Sequence, residues 1–127
     1  MSERRVVITG IGIISPVGNT VPEAWNNIID GNSGVSPIAK FDTKDFETKF
    51  AATLNFNPED HLDKKEIRRV DEFIQFGLIA SDQCVIDSGL SLELEDLNRI
   101  GVSIGSGIGG LGTIEEIKLL LETISLR

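Results

Sequence analysis

The chain has 127 residues, enough for one domain with a core, and its 40% hydrophobic and 25% charged residues are ordinary for a folded protein. Twenty acidic side chains against twelve basic ones leave a net charge of −8, which argues against nucleic acid or an anionic membrane as the main partner. The one cysteine, Cys84, excludes an internal disulfide and any thiolate metal cluster, and a cytoplasmic location is the natural expectation.

Glycines, Ser15 and Pro16 interrupt the stretch after Arg4-Arg5, so no targeting segment is read there, and no apolar run approaches membrane-spanning length. Arg5 to Thr9 (RVVIT) is a short β-branched run ending at Gly10, the pattern of a central strand buried on both faces. Gly12, Pro16, Gly18 and Asn19 make an irregular exit. Thr20-Val-Pro-Glu23 then forms a capping box, with Thr20 as N-cap and Pro22 tolerated in the first turn. Val21, Ala24, Trp25, Ile28 and Ile29 share one helical face, and Gly31 stops the helix.

From Asn32 to Asp63 the signals are loop-like, with a possible extended piece at Thr48 to Leu54. Pro58-Glu-Asp60 and Asp63 lead into a long helix whose apolar stripe runs from Ile67 through Val70, Phe73/Ile74, Gly77/Leu78, Ser81 and Cys84/Val85 to Ser88. Gly77 costs about 1 kcal/mol against Ala in a helix interior, so it is expected to permit close contact with another backbone. Gly89 closes this helix. A short acidic helical turn, Leu92 to Asn98, precedes a second strand-type run, Arg99 to Gly105. The last helix, Thr113 to about Ile124, carries Ile114, Ile117, Leu120/Leu121 and Ile124 on one face.

Before that helix lies GSGIGGLG, with five glycines in the eight positions Gly105 to Gly112. Gly105, Gly107 and Gly110 satisfy the G-x-G-x-x-G spacing that cradles a pyrophosphate at a helix N-terminus. The other reading is an interior turn where backbones pack closely and Ile108 is presented to a cavity. Glu115 and Glu116 favour the helix dipole but repel a pyrophosphate, and the chain stops before an acidic residue could appear at the spacing a ribose needs.

Two buried-type strands and three apolar helix faces do not close a doubly wound layer, which needs several adjacent strands with both faces covered. The expected fold class is therefore α/β, as the front of a larger domain that runs over residues 1–127 without an internal linker.

Five separated segments carry a family likeness. RRVVITGIGIISPVGNT at Arg4 to Thr20, GNSGVSPI at Gly31 to Ile38, FDTKDFETKFA at Phe41 to Ala51, DEFIQFGLIASDQ at Asp71 to Gln83 and RIGVSIGSGIGGLGTIEE at Arg99 to Glu116 resemble the N-terminal part of the β-ketoacyl-[acyl-carrier-protein] synthase II family of condensing enzymes. The resemblance implies an incomplete first half of a thiolase-like layered fold, usually found as a homodimer. It implies decarboxylative condensation of an acyl-enzyme with malonyl-ACP in fatty-acid biosynthesis, with no metal or organic cofactor.

The family's nucleophilic Cys and two His have no counterpart here, so the resemblance assigns no catalytic residue and implies that this chain alone is inactive. Cys84 reads as a packed thiol on an apolar stripe, and His61 as a surface side chain. Two elements do carry over. Gly107 and Ile108 match the loop bordering the acyl pocket, and Lys65, Arg68 and Arg69 match the positions that bind the acidic acyl carrier protein. On one helix, Lys64/Arg68 and Lys65/Arg69 are i,i+4 neighbours, which places four cations on one exposed side. The remaining alternatives are a non-catalytic carrier-binding module or subunit of a split synthase and, more distantly, a nucleotide-binding α/β fragment.

Overall fold

The computed structural model describes residues 3–125, and these divide into two compact units. One comprises the chain up to Asn57 together with Ala80–Leu90; the other comprises Pro58–Ile79 and the chain from Ser91 onward. Helices α1 (Val21–Ile29), α2 (Lys64–Ile67), α3 (Glu72–Ser88) and α4 (Leu111–Ser125) and strands β1 (Ser36–Pro37) and β2 (Phe50–Ala51) are its main elements.

In the first unit, α1 starts as its capping residues dictate. Thr20 is extended (φ −137°, ψ 157°), and its hydroxyl accepts from the Glu23 N–H at 3.4 Å. The reciprocal bond goes one residue further back than expected, because the Glu23 carboxylate accepts from the Asn19 N–H at 2.8 Å. Gly31, at φ +72°, ends the helix in the left-handed region that glycine adopts without a Cβ penalty.

The stretch read as loop-like contains a two-residue antiparallel ladder, with Ser36 opposite Ala51 and Pro37 opposite Phe50. The extended piece expected near Thr48 is thus paired, and its partner lies in a segment whose Ser and Pro carry no strand signal. Pro37 donates no ladder bond, which suits it to a short edge pair.

The run Arg5 to Thr9 forms no ladder among the described residues, contrary to the central strand expected there, and Val6 is 93% exposed. A strand of this composition is stable only between neighbours that satisfy its backbone and cover both faces. Its continuation is held differently. The Ile11 N–H donates to the Asp87 carboxylate (2.9 Å) and the Ile13 N–H to Gln83 Oε1 (3.1 Å), while the Cys84 thiol donates to the Gly10 carbonyl (3.2 Å). The backbone approaches α3 so closely that a Cβ on Gly12 would lie 2.9 Å from the Cys84 amide nitrogen, and one on Gly10 would lie 2.7 Å from that of Ser88. The close backbone contact expected at Gly77 occurs instead at Gly10 and Gly12. At Gly77 a Cβ would meet only the Ile104 side chain, at 3.9 Å.

In the second unit, the long helix expected after Asp63 is two helices. Asp63 caps α2, its carboxylate accepting from the Lys65 and Glu66 N–H groups at 2.8 Å each. The chain leaves helical geometry after Arg68 and resumes it at Glu72. Residues 68–71 form the elbow between the two helices, and the buried residues of α3, Gln75 and Ile79, lie off the expected stripe. Gln75, 6% exposed, sustains that elbow by donating from Nε2 to the Ile67 carbonyl (3.2 Å) and the Val70 carbonyl (3.1 Å).

Gly89 ends α3 at φ +66°, as expected. The acidic turn is a turn at residues 92–94 followed by a 3-10 turn, Leu97–Arg99, capped by Asp96. Residues 100–105, like Arg5 to Thr9, form no ladder among the described residues. Helix α4 begins at Leu111, two residues earlier than its periodicity indicates, with the Ile114 N–H bonded to the Gly110 carbonyl at 3.1 Å.

Burial is sparse. Ala24 of α1 and Ile79 of α3 are 2% and 3% exposed, whereas Trp25, Ile28, Ile117, Leu120 and Ile124 each keep more than half of their surface in solvent. The apolar helix faces are made by the sequence and left largely uncovered.

Candidate functional site

The glycine loop and the basic elbow both belong to the second unit. In the loop, Gly109 adopts φ +84°, and its N–H donates to Ser106 Oγ at 3.1 Å. A Cβ on Gly110 would lie 2.6 Å from the Asp71 carboxyl carbon, so a side chain there would displace that carboxylate. The same carboxylate accepts a hydrogen bond from the Thr113 hydroxyl in the first turn of α4. A carboxylate of the chain itself thus sits at the helix N-terminus where an anion would bind, which removes the geometric basis of a dinucleotide site. A cleft of about 380 Å³ opens beside it, lined by Asp71, Glu72, Phe73, Phe76, Thr113 and Glu116 with residues 109–112. Its three carboxylates are unsuited to a pyrophosphate.

Gly107 and Ile108 stand at the tip of this loop and do not line the cleft. Ile108 is 72% exposed, and a Cβ on Gly107 would have nothing within 4 Å. Among the described residues, Ile108 is an exposed apolar side chain on a loop whose base is held by Gly109, Gly110 and Asp71.

The basic group lies on α2 and the elbow that follows it, with Arg69 outside the helix. Lys64 and Lys65 lie in α2, Arg68 is its C-cap (φ −75°, ψ −13°), and Arg69 stands beyond it. The i,i+4 relationship expected of Lys64 and Arg68 holds, since Arg68 keeps αR geometry and its N–H reaches the Lys64 carbonyl at 3.4 Å, whereas Arg69 lies beyond the helix and its N–H bonds the Glu66 carbonyl at 2.9 Å. Lys65, Arg68 and Arg69 are nonetheless exposed and make no side-chain ion pair among the described residues, whereas Lys64 pairs with Glu59 at 3.3 Å. Cys84 is half-buried against Gly10, and His61 is exposed. No group of three or more His, Cys, Asp or Glu side chains among the described residues is placed to hold a metal ion. No helix among them is long and apolar enough to cross a membrane.

Sequence reasoning missed Asp71 and Gln75. The available signal was spacing: Asp71, Gln75 and Ile79 are successive i,i+4 positions, so two polar residues lie in line with a buried one.

Residues 3–124 match the family model described as Beta-ketoacyl synthase, N-terminal domain. The chain is 51% identical over 116 residues to the 3-oxoacyl-[acyl-carrier-protein] synthase 2 of Vibrio cholerae serotype O1, across 91% of this chain and 28% of that protein. It is 47% identical over 117 residues to the protein of that name from Coxiella burnetii, with 91% and 28% covered. Among solved structures, the ishigamide ketosynthase/chain length factor matches with a TM-score of 0.65 and 32% identity, over 72% of this chain and 23% of that one. The chain thus spans little more than a quarter of the length of these curated relatives. With 3–124 matched in one continuous stretch, the chain belongs to the β-ketoacyl synthase family, as an N-terminal domain sequence.

Proposed function

We propose that this chain is the opening part of a 3-oxoacyl-ACP synthase of the second type, a cytoplasmic acyltransferase of fatty-acid biosynthesis with a thiolase-like fold. In the reaction proposed for the whole enzyme, malonyl-ACP loses CO₂ and the resulting enolate attacks an acyl thioester held on the enzyme's cysteine. The new carbon–carbon bond forms as the cysteine leaves as thiolate, giving 3-oxoacyl-ACP without a metal or organic cofactor. The nucleophilic Cys and both His belong to the remainder of the synthase, so residues 1–127 alone are inactive.

The observations that carry this reading are the match of residues 3–124 to the family model and 51% identity over 116 residues to a synthase of that name. Within it, Lys65, Arg68 and Arg69 receive the acidic carrier protein, and Gly107 and Ile108 border the acyl pocket. The exposure of all three cations supports the first role, because an acidic synthase needs a local positive patch to orient an acidic carrier. The protruding Ile108 supports the second. The parent enzyme is a homodimer.

The test is reversal of Arg68 and Arg69 to Glu in the complete synthase. Carrier affinity falls and loses much of its salt dependence, with the largest effect at low ionic strength because steering is screened over about 8 Å at physiological salt. Unchanged affinity and salt dependence would place the docking surface elsewhere. The different-class reading, a carrier-binding module without catalysis, requires carrier binding by this chain with no condensation even beside the remaining polypeptide.

A further inference from the structure

We infer that Gln75 is the positioning residue of the carrier-docking elbow, an inference that rests on the docking role proposed above. Its two acceptors bracket the arginine pair: Ile67 immediately precedes Arg68, and Val70 immediately follows Arg69. One buried amide nitrogen therefore clamps the backbone on both sides of the two cations, at 3.2 and 3.1 Å.

The burial pattern suits this role. Gln75 is 6% exposed, Ile67 and Val70 are half-buried, and Arg68 and Arg69 project into solvent. Burial of an amide is costly unless its donors are satisfied, so the Gln75 side chain is held where the two carbonyls meet it. The Ile67 carbonyl is left over where α2 ends, and the Val70 carbonyl lies in the elbow before α3. Asp63 fixes the other end of α2 through the Lys65 and Glu66 N–H groups. Helix α2 is thus pinned at its start by Asp63 and at its exit by Gln75, and the three docking cations ride on a backbone that is ordered before the carrier arrives. Pre-ordering removes an entropic cost from binding. The clamp is absent from chemistry: Gln75 touches neither acyl chain nor catalytic group in this reading.

The experiment compares Gln75→Met, Gln75→Glu and the Arg68→Glu/Arg69→Glu double variant in the complete synthase. Each is assayed with an acyl-carrier thioester and with a short acyl-pantetheine thioester that lacks the carrier. Gln75→Met keeps the length and burial of the side chain and removes both donors; Gln75→Glu sets a carboxylate against two carbonyls. The expected result for both is a KM for the carrier substrate raised about five- to tenfold, the scale of two lost hydrogen bonds, with kcat retained and the carrier-free reaction unchanged.

Should the arginine variant raise KM while neither Gln75 variant does, the positioning role is overturned and the docking reading stands. No effect of the arginine reversals would remove the docking reading and this inference together. Equal loss with both substrates, or failure of both Gln75 variants to fold, would make Gln75 an ordinary core residue and overturn the inference.

Discussion

The carboxylate of Asp71 and the hydroxyl of Thr113 are joined by a hydrogen bond across 42 residues of sequence. The bond ties the start of α3 to the first turn of α4, and the space it needs is the space where Gly110 lacks a side chain. Asp71→Ala and Thr113→Val are each expected to destabilise the complete synthase by about 1–2 kcal/mol. Gly110→Ala alone should cost a similar amount by displacing the carboxylate, and much less when combined with Asp71→Ala, which vacates the site. Thermal unfolding of the single and double variants measures this coupling; strictly additive losses would show that the two residues act independently.

Gly12 faces a harder obstacle, because the atoms it meets are α3 backbone at Ala80 and Cys84 and cannot rotate away. Gly12→Ala should destabilise by about 1–3 kcal/mol, the usual range for overpacking. Gly107→Ala, with nothing within 4 Å, should change the melting temperature little. Reversal of that order would contradict the packing of residues 10–13 on α3.

The helix patterns were legible because local chemistry sets them. Thr20, Glu23, Gly31 and Gly89 act within a turn of themselves, and they cap and stop α1 and α3 as their types indicate. The two strand-type runs were legible as composition but not as structure, since a ladder depends on partners remote in sequence. The elbow at residues 68–71 was hidden because apolar residues continue through it at helical spacing in the sequence, and the carbonyls bonded by Gln75 mark it. In the glycine run, spacing alone suggested a phosphate cradle; Asp71, from a different segment, is what fills that place.

Uncovered helix faces have a direct consequence in solution. With Ile114, Ile117, Leu120 and Ile124 all more than half exposed, the isolated chain should bind a hydrophobic dye strongly and associate as concentration rises. Cooperative unfolding of a monomer without dye binding would show that these faces are satisfied within 127 residues.

On the proposed reading Ile108 borders the acyl pocket, so a larger side chain at this exposed position is expected to alter that pocket and leave the fold intact. Ile108→Trp in the complete synthase should reduce condensation of long acyl chains at least tenfold while sparing short ones, as read from rates across a series of acyl lengths. Equal loss at every length would remove Ile108 from the pocket.

Replacing the matching N-terminal residues of the Vibrio cholerae synthase with this chain, across the 116 residues that align at 51% identity, joins it to a complete set of catalytic residues. Condensation of acyl-ACP with malonyl-ACP is then measured for that chimera and for the chain by itself. The chimera should form 3-oxoacyl-ACP and the isolated chain should form none. Product from the isolated chain, or a folded chimera that binds carrier but never condenses, would contradict the assignment of these residues to the opening part of a ketoacyl synthase.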